Sequence, residues 1–240
     1  MSRSKTFATI KESEGAGMRK YIFTAILLLV LLSLNAELIE GSPIRFNVLE
    51  SHNYKLDLTL STALNRLMIA AEFSIDRSQL ATVDYYSFFL NNIATVDYVF
   101  LGDRLVRYQK ATNLHPKHFV PELPVPELVD SCTVVSCYSF GTPLFKGLPD
   151  TVSVYVEYWL PLPDWQINDE GREYISFSTC DFWYPRNLYQ PSELDIKLTT
   201  TIFHEIADMT DYTDRGYVRT IRKQYIDIPG ISRELTIFKS

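Results

Sequence analysis

From Tyr54 onward the chain alternates. Tyr54-Lys55-Leu56-Asp57-Leu58-Thr59-Leu60 puts an apolar side chain at every second position, the period of a strand covered on one face. Arg66–Ile75 predicts a second strand, and further runs follow at Asp84–Leu90, Ala94–Leu101 and Arg104–Gln109. Tyrosine, phenylalanine and valine dominate these runs and suit pleated, half-covered surfaces. Gly102-Asp103 predicts a tight connection between two of them. The alternation is strongest over Thr151–Leu160 and returns at Tyr174–Cys180, Glu193–Thr201, Tyr217–Ile226 and Glu234–Phe238. Between Phe203 and Asp211 the pattern fits a strand or, through Phe203, Ile206 and Ala207, one helical turn.

The stretch Thr112–Val129 differs. Pro116, Pro121, Pro124 and Pro126 each remove a backbone donor, which excludes a regular central strand. Phe119, Val120, Leu123, Val125 and Leu128 ask for burial, so an extended crossing between two sets of strands is expected. About ten short strands without a long amphipathic helix imply an all-β fold, a β-sandwich of packed, mostly antiparallel twisted sheets. A barrel is the alternative; an outer-membrane barrel does not suit strands so short and irregularly spaced.

The amino end is a separate matter. Met18-Arg19-Lys20, the apolar run Tyr21–Leu32 and Ser33-Leu34-Asn35-Ala36 have the layout of a secretory signal peptide, a signal helix cleaved after Ala36. The run is shorter than the roughly 20 residues of a spanning helix, so contact with a membrane is expected only if the segment stays uncleaved. The predicted organisation is therefore 1–17, a polar extension with Met18 as a candidate true start; 18–36, the signal peptide; and 37–240, the β-domain. A secreted or periplasmic, extracytoplasmic location follows.

Removing 1–36 takes away five basic residues (Arg3, Lys5, Lys11, Arg19, Lys20) and two acidic ones (Glu12, Glu14), so the net charge moves from −6 to −9. An acidic surface repels phosphate backbones and argues against nucleic-acid binding. Cys132, Cys137 and Cys180 allow one disulfide in an oxidising compartment, with three pairings open, or buried thiols. There is no Cys-x-x-Cys, no Gly-rich phosphate loop and no Asn-x-Ser/Thr acceptor, and no cofactor is expected.

Two regions resemble a known domain. Tyr54–Leu60 followed by Leu67–Ile75 is similar to the opening of the amino-terminal β-domain of aminopeptidase-N-type zinc metallopeptidases, with its "Tyr-x-Leu-x-Leu" strand and the strand that brings the chain back. Asp150–Tyr158 resembles the family's strand before its active-site-facing loops, Phe182-Trp183-Tyr184-Pro185 its Trp-Tyr-Pro turn, and Ser192–Leu198 the strand after it. In that family the chemistry belongs to a later helical domain with Gly-Ala-Met-Glu-Asn and His-Glu-x-x-His motifs, neither of which occurs in this sequence. The resemblance implies a stand-alone or truncated amino-terminal domain, not itself an enzyme, with a scaffolding and substrate-flanking role.

His204-Glu205-Ile206-Ala207-Asp208 is the nearest approach to a zinc motif. Helical zinc peptidases need two ligands four residues apart on one helix face with the glutamate as base. Thr199-Thr200-Thr201-Ile202 favours a strand instead, where positions four apart lie about 13 Å from one another, too far for one ion. His115 and His118 read as a solvated loop. Asp208, Asp211 and Asp214 lack the alternate spacing of a calcium loop and suit an acidic sheet edge that resists pairing. Trp159, Trp165, Trp183 and Tyr184, with Tyr158 and Tyr174 among them, fill the core or form a platform for a carbohydrate, peptide or protein partner. That platform would make an extracytoplasmic sugar- or peptide-binding module, the alternative to a peptidase-type scaffold.

Overall fold

The strands of the computed structural model follow the alternation. It describes residues 51–114, 134–186, 191–207, 211–228 and 233–239. Every described residue belongs to one compact unit, Phe46–Ser240. The predicted signal helix, most of the proline-rich crossing with His115 and His118, and Cys132 and Asp208 lie outside the described residues.

Fifteen strands are found among the described residues: β1 (Ser51–Ser61), β2 (Arg66–Asp76), β3 (Tyr85–Asn91), β4 (Thr95–Leu101), β5 (Arg104–Leu105), β6 (Gln109–Leu114), β7 (Val135–Gly141), β8 (Thr151–Pro161), β9 (Gln166–Ile167), β10 (Glu173–Ser178), β11 (Ser192–Thr201), β12 (His204–Ile206), β13 (Tyr212–Arg215), β14 (Val218–Asp227) and β15 (Glu234–Lys239). They make an eight-stranded sheet in the order β13-β14-β11-β1-β2-β8-β4-β5, a four-stranded sheet β12-β15-β10-β9 and a three-stranded sheet β3-β7-β6. All pairings are antiparallel except β1 with β11, where Tyr54 faces Leu194 and Thr59 faces Thr199. The all-β class and the mostly antiparallel packed sheets are as the alternation predicts.

One face of the large sheet holds the core. Tyr54, Leu56, Leu58 and Leu60 of β1, Leu67, Ile69, Ala71, Phe73 and Ile75 of β2, and Val152, Val154, Val156, Tyr158 and Leu160 of β8 point to it and are buried. Both smaller sheets cover this face, contributing Tyr86, Phe88, Tyr138 and Phe140 on one side and Ile175, Phe177, Leu235 and Ile237 on the other. Each fully covered Leu, Ile or Phe stabilises by about 1.5–3 kcal/mol, so the register is fixed by the core, since a one-residue slip would turn every such chain outward. The opposite face is a solvated ladder of charges, with Lys197 donating to Asp57 at 3.2 Å, Ser153 to Glu72 at 2.9 Å and Tyr155 to Glu157 at 2.6 Å.

Several elements depart from the sequence pattern. The run Arg104–Gln109 is not one strand: β5 ends at Leu105 and β6 begins at Gln109, in a different sheet. β7 carries no alternation because it is buried almost throughout, so its Val-Ser-Cys-Tyr-Ser-Phe-Gly reads as no strand period. Tyr174–Cys180 stops as a strand at Ser178 and becomes a 3-10 turn at Thr179–Asp181. The region after Phe203 is a strand, β12, rather than a helical turn.

Candidate functional site

The turn after β10 is buried and fastened at both ends. Ser178 opens it as a capping box: its Oγ accepts from the Cys180 backbone N–H at 3.2 Å, and Asp181 Oδ2 accepts from the Ser178 N–H at 3.3 Å. Phe182 then sits at φ 50°, a left-handed conformation uncommon for a bulky residue. Asn91, at the end of β3, fixes it from outside, donating its amide to the Asp181 carbonyl at 2.8 Å and its backbone N–H to the Phe182 carbonyl at 2.8 Å. Tyr158 Oη donates to the Trp183 carbonyl at 2.9 Å.

The far end of the turn is fixed by charge. Arg186 forms a two-pronged ion pair with Asp227, Nε to Oδ2 at 2.7 Å and Nη2 to Oδ1 at 2.9 Å, and Nη2 also reaches the Ile228 carbonyl at 3.0 Å. Tyr184 Oη donates to the same Asp227 Oδ2. Burial alone would lower the arginine's affinity for its proton, and the bond to Asp227 outweighs it, so the guanidinium is held charged.

Beside this turn lies a cleft of about 270 Å³ whose walls include Ile93, Leu162, Phe177, Trp183, Asn91 and Asp181. It is mostly apolar with few polar groups, the general make-up of a small ligand site. Burial pushes the Asp181 carboxyl upward, partly offset by the Ser178 N–H, with Glu234 adding to the rise. Such a cleft can seat an apolar group beside a hydrogen-bond-accepting carboxylate; no paired acid and base or activated nucleophile lines it. Asn91 and Asp181 were not singled out from the sequence, although Ser178-x-x-Asp181 carries the capping-box signature.

The four aromatic candidates are not assembled into one platform. Trp183 and Tyr184 are buried in the core, edge to face with centroids 4.7 Å apart. Trp159 is half-buried on the outer face of β8 with the Arg66 guanidinium 3.8 Å from its ring centre. Trp165, also half-buried, stacks instead with Lys239 at 4.1 Å and lies 5.8 Å from the His204 ring.

Of the zinc-like motif, His204, Glu205, Ile206 and Ala207 fall within the described residues. His204 and Glu205 are neighbours on β12, so their side chains point to opposite faces, and Asp208 lies outside the described residues. His204 is buried, with Nδ1 at 2.8 Å from Thr201 Oγ1 and 3.1 Å from Thr200 Oγ1, while Glu205 is paired with Arg172 at 2.8 Å. Among the described residues no three His, Cys, Asp or Glu side chains converge as metal ligands. Cys137 and Cys180 are buried thiols not bridged to each other, and burial pushes the Cys137 thiol up to about 11.

This arrangement, three packed sheets with one parallel pair in the eight-stranded sheet, is similar in fold to part of solved LTA4 hydrolase and M1 zinc metallopeptidase structures. LTA4 hydrolase from the yeast Saccharomyces cerevisiae superposes in one structure with TM-score 0.51 and 10% identity, over 81% of this chain and 29% of that one. A second structure of the yeast enzyme gives 0.50 and 10%, over 80% and 28%. An M1 zinc metallopeptidase from Deinococcus radiodurans gives 0.49 and 15%, over 80% and 43%. The likeness is one of fold, and the chain spans less than half the length of each of these proteins. No family model and no curated protein matches the sequence.

Proposed function

We propose that the chain is an exported, non-catalytic β-domain that serves a peptidase-type scaffold by flanking a substrate path with the cleft beside Asp181 and Trp183. The observation that supports this reading is the fold shared with the yeast hydrolase over 81% of this chain. The fastening of the Ser178–Arg186 turn agrees with it, because a wall that orients a neighbouring substrate must be rigid. The opposed directions of His204 and Glu205 on β12 support the non-catalytic reading.

Turnover decides the matter. The purified full chain, supplied with zinc, is expected to hydrolyse aminoacyl anilides no faster than the same chain carrying His204→Ala and Glu205→Ala. Hydrolysis that these substitutions abolish would refute the non-catalytic reading. Addition of a short amino-terminally free peptide is expected to shift the NMR resonances of Ile93, Phe177 and Trp183 together; shifts elsewhere and none there would refute the role of the cleft.

A further inference from the structure

Three turns at one end of the eight-stranded sheet each carry an exposed apolar side chain. Leu64 (59% exposed) stands on the β1–β2 turn, Phe203 (58%) on the β11–β12 turn and Tyr217 (76%) on the β13–β14 turn. The turns are neighbours because their strands are: β14, β11, β1 and β2 are consecutive in the sheet. The Ile202 N–H donates to the Tyr217 carbonyl at 3.1 Å, which joins two of the turns directly, and Gly216 at φ 62° lets the third be a tight hairpin. None of the three apolar chains serves the core.

The charge beside these tips runs against that of the chain. A hollow of about 400 Å³ opens on the solvent face next to the β13–β14 turn, lined by Lys197, Arg215, Arg222, Thr213, Thr220 and the single carboxylate Asp211. Lys197 reaches Asp57 at 3.2 Å, whereas Arg215 and Arg222 have no ion-pair partner among the described residues. Arg66, one residue from the β1–β2 turn, lies over Trp159 and likewise has no carboxylate partner among them. The adjoining hollow on the same face carries Asp57, Glu72 and Asp195 beside Lys197 and Arg222, so the cations left for a partner are Arg215 and Arg222, toward the tips.

We propose that this end of the sheet docks on an anionic phospholipid surface. Leu64, Phe203 and Tyr217 enter the acyl boundary, while Arg215 and Arg222 hold a headgroup phosphate in the hollow, with Thr213 and Thr220 as hydroxyl donors. The scale fits: from Tyr217 to Arg222 is about 16 Å of strand, so tips inserted by about 5–10 Å leave Thr220 and Arg222 at headgroup depth, while Arg215, level with Val218, has a side chain long enough to reach up to it. A second copy of the chain is a poorer occupant. The three tips expose on the order of 400 Å² together, about half of the roughly 800 Å² per partner in a stable protein interface. They also project singly from separate turns, a shape that suits a fluid partner better than a flat one.

Hydrogen exchange on the full chain tests this, because it reads the turns themselves even where the apolar run Tyr21–Leu32 holds the chain on lipid. With phosphatidylcholine vesicles containing phosphatidylserine, amides at 62–65, 202–204 and 215–218 are expected to gain protection together. The ratio of docked to free is expected to fall about fivefold for each of Arg215→Gln and Arg222→Gln, and by tenfold or more for Phe203→Asp combined with Tyr217→Asp. These are surface positions, and an unchanged far-ultraviolet spectrum shows that the fold survives. No protection at the three turns, or equal protection on phosphatidylcholine alone, would overturn the proposal. So would protection that rises with protein concentration without lipid, which marks a second copy, or protection of the hollow alone by inorganic phosphate, which marks a free-anion site.

Discussion

Replacing Asp227 by asparagine should destabilise the domain out of proportion to a change of one atom. The carboxylate accepts two bonds from Arg186 and one from Tyr184, and the side chains of the ion pair are only 1% and 3% exposed. In the variant the guanidinium stays buried with a neutral partner, and breaking a buried pair from one side costs about 3–5 kcal/mol. Against a total stability of about 5–15 kcal/mol that is a large fraction. It corresponds to a fall in melting temperature of about 6–20 °C for a domain of this size. The comparison that isolates the cause is a double-mutant cycle in urea with Arg186→Met and Asp227→Leu. Removing both charges leaves Tyr184 Oη and the Ile228 carbonyl each short of one bond, about 1–3 kcal/mol apiece at most, but no unpaired ion. The double variant should therefore be more stable than the sum of the singles by at least about 2 kcal/mol. Losses that simply add, or an Asp227→Asn cost below about 1 kcal/mol, would refute the argument that the charge fastens the turn.

Other perturbations follow from the same structure. Phe73→Ala removes a fully buried ring stacked on Tyr54 at 5.3 Å and edge-on to Phe88 at 6.1 Å, and should cost about 3–5 kcal/mol in chemical denaturation. Burial, with Lys239 nearby, holds the His204 imidazole below its usual value of 6.5. The unfolded chain then binds the proton more tightly than the folded one, so His204 contributes a stability that is complete above about 6.5 and declines as pH falls through the lowered value. His204→Gln should flatten that decline in melting curves taken across the window; an unchanged slope would show that the ring does not titrate there. Cys137 and Cys180 should resist alkylation in the native protein and react in urea, as mass spectrometry of the modified peptides would show. Rapid native labelling of either would contradict their burial.

How much of this was legible beforehand depends on whether the signal was local. The alternation over Tyr54–Leu60 and Thr151–Leu160 declares strands with one covered face because the side-chain period of a strand is a property of the backbone alone. Gly102-Asp103 marks its turn for the same reason, since Gly102 takes φ 60° there. β7 escaped notice because it is buried on both faces, and without a solvent side the alternation vanishes. The candidate platform shows the other limit: composition gathered Trp159, Trp165, Trp183 and Tyr184 within one stretch of chain. Only the packing decided that two of these rings lie in the core and two meet cations on separate elements.

The sequence by itself determined an all-β domain, the approximate places of its longer strands and a resemblance carried by Tyr54–Leu60 and the Trp183-Tyr184-Pro185 turn. The tertiary structure decided which strands pair. The parallel contact of β1 with β11 joins residues about 140 positions apart, and no local pattern encodes a partner at that distance. It decided also that Arg186 meets Asp227 across 41 residues, that Asn91 and Asp181 face one cleft, and that Leu64, Phe203 and Tyr217 share one end of the large sheet. Periodicity records how a residue meets the layer beneath it; which distant residue meets it is set by closure of the whole core.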